Sequence, residues 1–415
     1  SQSITHVTGR KVDRAIVFVL VIALAYLAVD KFVLDPRRDA KLVEDMQQAA
    51  VDTTAAQPGP GGAEENSIAV LPFVNMSGDP ENEYFSDGLT EELLNTLVRL
   101  GGLKVTGRTS SFAFKGENTD LREIGRLLDV ANILEGSVRK AGNRVRITAQ
   151  LVKTSDGYHL WSETFDRELD DIFQIQEEIA NQVSGALHVT LLGEEGTGNI
   201  TAATSPRDGK AYEEYLRGMY IWNREPDNEE ALNRARGHFE RALEIDGDYV
   251  DALYGMFLYW SRMNRNGHMV TYVESMAEMT SIAERITELA PDSDRALNTS
   301  SRTALMRYEY QKSLQLLEKA IELYPANTDS LTRYANGLTI MGDYEASRKI
   351  IDRALELDPL SLQALRRKAF SVWAAGDCGE LENVMNRALE LNPDAGRFRG
   401  YMAFCTYQSD GDLEP

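Results

Sequence analysis

The side chains best suited to binding a partner lie in the C-terminal half of the sequence, where arginines and aromatics recur on one face of the predicted helices. Arginine pairs with carboxylates and aromatic rings supply apolar contact, so this face is predicted to bind an extended peptide or protein that carries both kinds of group. The aromatic side chains could instead pack between neighbouring helices, and both interpretations stay open. The predicted partner-binding residues are Arg295, Asn298, Arg302, Asn336, Arg366, Phe370, Trp373, Arg397, Phe404 and Tyr407, with Asp329, Thr332 and Gln363 on the same face.

No spacing in the sequence indicates a catalytic or metal site. The five histidines are scattered, without an HExxH motif or a paired spacing, which argues against a metal centre or a catalytic triad. The glycine-rich stretch at 193–198 is followed by no GK[ST] and follows no buried strand, so it is not a phosphate-binding loop. We therefore expect a protein that is not an enzyme and that needs no metal or cofactor.

The element that positions the arginine and aromatic face is a repeat. The segments 320–325 (AIELYP), 354–359 (ALELDP) and 388–393 (ALELNP) follow one another at 34-residue spacing, and 286–291 (ITELAP) lies 34 residues earlier. This period is typical of helix–turn–helix units, in which small residues let paired helices approach and proline ends the second helix. The first helix of each unit should line a concave groove. Residues 208–415 are therefore predicted to form an all-α solenoid.

The segment 67–190 is predicted to be a small α+β domain. Residues 67–73 (SIAVLPF) form a short apolar run suited to a buried strand, and residues 144–151 alternate between polar and apolar side chains, which indicates a strand with one exposed face. Helical periodicity follows at 89–100, 121–128 and 172–187. The predicted order is βαβαβββ followed by a helix, which indicates an α+β fold.

Two stretches, 35–66 and 191–207, are interpreted as linkers because they contain proline-, glycine-, alanine- or threonine-rich runs without apolar periodicity. The second linker separates the α+β domain from the solenoid. We therefore expect the two folded segments to unfold independently.

A transmembrane helix is predicted at 15–34, where an uninterrupted apolar run is extended past Asp30 and Lys31 to the length of a bilayer span. A cleaved secretory signal is the alternative, because Arg10, Lys11 and Arg14 form a basic flank. Basic residues on both sides leave the orientation undecided.

Two family resemblances follow from these segments. Residues 208–415 resemble tetratricopeptide repeats. SIAVLPFVNMSGDPENEYFSDGLTEELLNTL (from Ser67), GRTSSFAFKG (from Gly107), ILEGSVRKAGNRVRITAQLV (from Ile133) and GYHLWSETFDREL (from Gly157) resemble the TolB-type amino-terminal-like domain. The head from Thr8 is similar to bacterial inner-membrane members of that family, and the resemblance implies a cytoplasmic N-terminus with periplasmic soluble domains.

The composition of the chain argues against one class of function. The chain has 415 residues, with 65 acidic and 44 basic ones, and this net charge of −21 argues against a nonspecific nucleic-acid binder. The two cysteines, Cys378 and Cys405, are interpreted as buried free thiols. Since the sequence begins with Ser1 and stops in mid-repeat, we expect it to be part of a longer protein.

Two hypotheses result. The first is a membrane-anchored scaffold or sensor that binds a peptide or protein partner through the solenoid groove. The second is the regulatory portion of a signalling protein, a nucleotide cyclase or winged-helix transcription regulator, whose effector domain lies upstream.

Overall fold

The computed structural model describes residues 63–100, 102–187, 208–225, 228–266 and 271–392. The predicted membrane helix at 15–34, most of the linker at 35–66 and the linker at 191–207 lie outside these ranges, as do Arg397, Phe404 and Tyr407. Among the residues that are described, no helix has the length and apolar character needed to cross a membrane.

The N-terminal part of the described chain is a mixed sheet with helices, which confirms the predicted small α/β domain. The strands are ordered β3–β1–β4–β5–β6, with β1 parallel to β3 and β4 and with β4, β5 and β6 antiparallel; the short β2 pairs with β4. The elements are β1 (Ser67–Val70), β2 (Val74–Asn75), α1 (Glu83–Leu100), β3 (Lys104–Val105), α2 (Arg108–Phe112), α3 (Leu121–Leu128), β4 (Asn132–Ala141), β5 (Arg144–Lys153), β6 (His159–Glu168) and α4 (Ile172–Ala186).

The core of this domain follows the sequence periodicities. On β5 the buried side chains alternate with exposed or half-buried ones, as the period of a strand requires. α1 and α4 bury one stripe each against the same core, at the i, i+4 spacing of an amphipathic helix. The buried residues are Val145, Ile147, Ala149 and Leu151 of β5, Leu89, Leu93 and Leu97 of α1, and Ile175, Ile179 and Val183 of α4.

The C-terminal part is a solenoid of five consecutive helix pairs, counted over the described residues, and this confirms the predicted helical repeat. The first helix of each pair is followed by an antiparallel partner that packs against it and against the next pair. The pairs are α5 (Gly209–Arg224) with α6 (Glu229–Ile245), α7 (Val250–Asn266) with α8 (Tyr272–Leu289), α9 (Asp294–Met306) with α10 (Tyr310–Leu323), α11 (Thr328–Ile340) with α12 (Tyr344–Leu357), and α13 (Leu362–Ala374) with α14 (Cys378–Leu391).

The 34-residue period has a direct structural cause. Ser293, Asn327 and Ser361 stand 34 residues apart, and each side chain accepts a hydrogen bond from a backbone N–H in the first turn of the helix it precedes. In the partner helices Ala320 and Ala354 are fully buried, where a larger side chain would separate the pair. The repeat therefore fixes both helix starts and helix–helix distance.

The α/β domain packs directly onto the first helix of the solenoid, and the two belong to one compact unit from Gly62 onward. Phe85 of α1 meets Tyr212 of α5 edge-on, with ring centroids 6.3 Å apart. A side-chain carbon at Gly88 would come within 2.5 Å of Leu216, so α1 and α5 approach closely only because glycine stands there. Buried residues of both segments form one continuous core. This continuous core contradicts the expectation that the two segments unfold independently.

A candidate binding cleft between the α/β domain and the solenoid

The concave face of the solenoid does not form an open groove along its whole length, because the α/β domain covers its first part. A cleft of about 410 Å³ remains between them. Its walls are α1 and the β3–α2 segment on one side, and on the other the first helices of successive pairs, α5, α7, α9, α11 and α13. The lining is therefore built from elements that are distant in sequence.

Arginine dominates the cleft. Seven arginines and three carboxylates line it, although the chain as a whole is acidic. The arginines are Arg108, Arg262, Arg295, Arg302, Arg333, Arg366 and Arg367, and the carboxylates are Glu91, Asp294 and Asp329. The concave face is thus a local region of positive charge.

The three lining carboxylates each lie close to one of these arginines. Arg108 Nε lies 2.7 Å from Glu91 Oε1, and Arg333 Nε lies 2.7 Å from Asp329 Oδ2. Asp294 Oδ2 lies 3.6 Å from a guanidinium nitrogen of Arg295. Burial raises the pKa of Glu91, and the neighbouring Arg108 opposes that rise.

Arg295 is held in place by a carboxylate and an aromatic ring. Its side chain is 14% exposed, and its Nε lies 2.7 Å from Asp251 Oδ1. Its guanidinium carbon also lies 4.2 Å from the centre of the Tyr254 ring, a cation–π distance. Arg262 lies over Trp222 in the same way, at 5.2 Å. Aromatic faces therefore orient two of the arginines.

α9 presents two oxygens that lack partners among the described residues. Asn298 is 4% exposed; its amide nitrogen donates to Asp294 O and to Ser330 Oγ, both at 2.9 Å, whereas its Oδ1 accepts no hydrogen bond. Asp294 Oδ1 is also buried and accepts no hydrogen bond from the described residues. Buried acceptors without donors are costly, so this end of the cleft favours a bound donor.

The β3–α2 segment of the α/β domain is hydrogen-bonded to the solenoid just after α12. The residues that make this contact lie far apart in the sequence, 248 positions in the case of Ser110 and Asp358. Asp358 Oδ1 accepts from the backbone N–H of Ser110 at 2.9 Å and from its hydroxyl at 2.6 Å. Ser110 Oγ in turn accepts from Leu360 N at 2.9 Å, and Gly107 N donates to Leu357 O at 2.7 Å. We call the residues Gly107, Ser110, Leu357, Asp358 and Leu360 the clasp. The clasp therefore joins the β3–α2 segment to the solenoid, and its Gly107 lines the cleft.

A buried carboxylate lies between α1 and α5. Glu92 is 7% exposed, and Tyr215 donates its hydroxyl to Glu92 Oε1 at 3.4 Å. Burial, with a further contribution from the charge of Asp251, raises the pKa of Glu92 to about 7; Arg99 and Arg295 oppose the rise. The contact between the two parts of the protein therefore contains a group that titrates near neutrality.

The structure brings together part of the predicted binding face. Among the residues named from the sequence, Arg295, Asn298, Arg302, Asp329, Gln363 and Arg366 line the cleft. Asn336 accepts from Arg367 at 2.7 Å, and Thr332 donates to Thr328 O at 2.6 Å. Asn336 and Thr332 do not line the cleft. Phe370 and Trp373 also lie outside it and stack on each other, with ring centroids 6.0 Å apart.

Sequence reasoning missed the residues that the α/β domain contributes to the cleft, and also those of α5 and α7. Nothing periodic marks Glu91, Asn95 or Arg108 as facing the solenoid. Trp222 and Arg262 could have been found, because the same projection that placed Arg295 on the concave face applies to the first helix of every pair.

The cysteine interpretation is corrected. Cys378, at the start of α14, is disulfide-bonded in the structure and is not a free thiol.

Comparison with known proteins gives a family match and a curated relative. The family model of the second domain of HilA/YgeH-like transcriptional regulators matches residues 64–182, which is the α/β domain. A protein called putative adenylate cyclase 3, from Rhizobium meliloti (strain 1021), is 44% identical over 193 residues, which are 46% of this chain and 32% of that protein. The chain thus spans about a third of that relative's length. The TolB-type resemblance stays a prediction.

Solved tetratricopeptide-repeat proteins resemble a part of the structure. TTC0263 of Thermus thermophilus is 15% identical, with a TM-score of 0.38, over 47% of this chain and 98% of that one. YrrB, described as a repeat protein with an unusual peptide-binding site, is 15% identical, with a TM-score of 0.30, over 46% of this chain and 90% of that one.

Proposed function

We propose that this protein is a membrane-anchored interaction scaffold or sensor, and that its solenoid binds a peptide or protein partner. The observation that carries the proposal is the concave face itself: arginines of α9, α11 and α13 converge on one cleft in an otherwise acidic chain. A cluster of this kind suits a partner that carries carboxylates. The proposed role is binding rather than catalysis.

The partner's contact surface is proposed to continue from the mouth of the cleft along α13. Arg366 lines the cleft, and Phe370 and Trp373 follow it at the i+4 and i+7 positions of the same helix. Their stacked rings are half-buried and lie outside the cleft covered by the α/β domain. A guanidinium beside two rings is a composition common among binding hot spots.

Truncation of Trp373 or Arg366 should weaken partner binding by about 2 kcal/mol, or roughly 30-fold in Kd, as is usual for such anchors. The partner would be identified by crosslinking to the full-length protein, and Kd would then be measured by calorimetry for Trp373→Ala and Arg366→Ala. Tyr308→Ala and Arg285→Ala are matched controls, since Tyr308 is 76% exposed at the α9–α10 turn and Arg285 lies on the outer helix α8. Unchanged affinity in both folded variants would move the partner site to the α/β domain.

The second candidate function is the regulatory portion of a signalling protein. The family match of the α/β domain to a transcriptional regulator and the relative named as an adenylate cyclase favour it. Sequencing the gene upstream of the Ser1 codon separates the two proposals. A catalytic or winged-helix domain there supports the regulator, and further membrane segments support the anchored scaffold.

The anchor and the compartment are also proposals. The apolar run at 15–34 has the length of a bilayer span, and the disulfide of Cys378 suits an oxidising compartment such as the bacterial periplasm. We expect the purified protein to retain residues 1–34 by intact-mass analysis. A C-terminal alkaline phosphatase fusion to the full chain should be active, and a C-terminal green fluorescent protein fusion exported the same way should be dark. Cleavage after the apolar run, or the reverse pattern of fusions, would contradict the anchored periplasmic topology.

A further inference from the structure

The lining of the cleft contains seven guanidinium groups and three carboxylates, and the carboxylates lie beside Arg108, Arg295 and Arg333. Arg302 and Arg366 come from different repeats, α9 and α13. Guanidinium groups from several helices suit the recognition of a carboxylate or phosphate group.

A second observation concerns hydrogen-bond donors. Asn298 Oδ1 and Asp294 Oδ1 are buried acceptors on the cleft wall, without donors among the described residues. Chloride and sulfate bring no donor at neutral pH. An organic molecule with a hydroxyl or amino group satisfies these oxygens while its charged groups meet the arginines.

The third observation is the apolar part of the lining. Leu94 and Val98 of α1 lie on one side of the cleft, and Met219, Trp222 and Leu258 lie on the other. A volume of about 410 Å³ suits a small molecule. Polar side chains form most of the lining, and these apolar side chains leave room for an apolar or aromatic part of a ligand.

We propose that the cleft is a ligand site of its own, which takes a small organic anion with at least two negative charges, a hydroxyl or amino donor and an apolar or aromatic portion. Both the α/β domain and the solenoid contribute to the lining, so the ligand bridges them. This inference rests on the proposed function, since both use the cleft arginines of α9, α11 and α13. The proposed partner surface also includes Phe370 and Trp373, which lie outside the cleft. Occupancy of the cleft would tie the two parts of the protein together.

The test uses adenosine 5′-monophosphate and citrate as probes, added to the full chain in detergent. Each probe carries two or more negative charges and a hydroxyl, and the nucleotide adds a flat ring. Titration calorimetry should show saturable binding of at least one probe with one site per chain. Sodium chloride at matched ionic strength should show none, and the double variant Arg302→Gln/Arg366→Gln should bind about tenfold more weakly or worse.

Two controls make the result specific. Arg285→Gln removes the same charge from the outer helix α8 and should leave Kd unchanged. Trp373→Ala lies outside the cleft and should also retain probe binding, even if it loses the proposed partner, so failure of the partner surface and failure of the ligand site are distinguishable. Circular dichroism melts without probe confirm that each variant is folded.

The proposal is overturned if neither probe binds saturably, or if the double variant binds as tightly as the wild type. Citrate also stabilises many proteins by exclusion from their surface, so a rise in melting temperature alone does not count. The decisive quantity is the difference in Kd between the wild type and the folded double variant.

Discussion

Replacement of Asp358 by alanine is expected to open the clasp and to destabilise the protein by about 3 kcal/mol. Asp358 is 4% exposed, and its carboxylate accepts two hydrogen bonds from Ser110. Alanine would leave the buried N–H of Ser110 without an acceptor, and a buried donor without an acceptor costs more than an ordinary hydrogen bond contributes. The α/β domain would then be held to the solenoid chiefly through the α1–α5 contact.

Urea unfolding of Asp358→Ala gives the loss in free energy, and hydrogen exchange shows where the structure opens. Exchange should rise in 107–112 and in 357–361, and should change little in β4 and β5. Asp352→Ala is a matched control, because Asp352 lies on α12, the helix that Asp358 follows directly, is half-exposed and pairs with Lys368 at 2.7 Å. Its expected loss is under about 1 kcal/mol, as is usual for exposed ion pairs.

Equal stability of Asp358→Ala and Asp352→Ala, with no local rise in exchange, would show that the clasp does not hold the α/β domain to the solenoid. Ser110→Ala offers an independent check on the same contact. Its hydroxyl both donates to Asp358 and accepts from Leu360 N, so its removal should reproduce part of the effect without deleting a charge.

The solenoid could be predicted from the sequence because its information is local and repeated. The four segments in 34-residue register each end in proline, and three helices carry a capping residue at the same spacing, so helix positions follow from one motif read several times. Ser293, Asn327 and Ser361 cap their helices at the predicted period. The strands and helices of the α/β domain were likewise marked by apolar periodicity.

The docking of the α/β domain onto the solenoid could not be predicted in this way, because it depends on contacts between residues far apart in the chain. The repeat position of Asp358 holds Asp246, Ala290, Tyr324 and Asn392 in the other units. Since an aspartate stands there twice, the residue type alone does not mark the contact that Asp358 makes with Ser110.

The same reasoning explains why only some residues of the predicted binding face line the cleft; their role in binding stays a prediction. Projection of the repeat placed Arg295, Asn298 and Arg302 on the concave surface, where they line the cleft. The projection had no information on what covers that surface, so it could not separate the part under the α/β domain from the part along α13. Whether Phe370 and Trp373 bind a partner or serve packing alone is the question that their truncation answers.

Glu92→Gln is expected to stabilise the protein at neutral and alkaline pH and to have little effect in acid. The carboxyl of Glu92 has its pKa raised from 4.5 to about 7, chiefly because it is buried between α1 and α5. Between these two values the folded protein holds a proton that the unfolded chain has released. A rise in pH through this window therefore removes stability, since the charged form must be held in a buried position.

The size of the effect follows from the shift in pKa. Below about pH 4.5 both states are protonated, and glutamine, a neutral residue of similar shape, should match the wild type closely. Above pH 7 the wild type carries the full cost of the buried charge, which is about 3 kcal/mol from the shift, and the variant carries none. The difference in stability should grow steadily between those limits.

Urea unfolding of the wild type and of Glu92→Gln at pH 5, 6, 7 and 8 measures this difference, because titrating groups far from Glu92 cancel between the two proteins. Glu81→Gln is the matched control, since Glu81 is exposed in the turn before α1 and its replacement should shift the curve little at any pH. Hydrogen exchange in α1 and α5 shows where the structure opens. The exchange rate rises with pH in both proteins because the reaction is base-catalysed, and between pH 6 and 8 it should rise more in the wild type than in the variant. A stability difference that is the same at pH 5 and at pH 8 would show that Glu92 does not titrate in this window, and the contact between α1 and α5 would then be insensitive to pH.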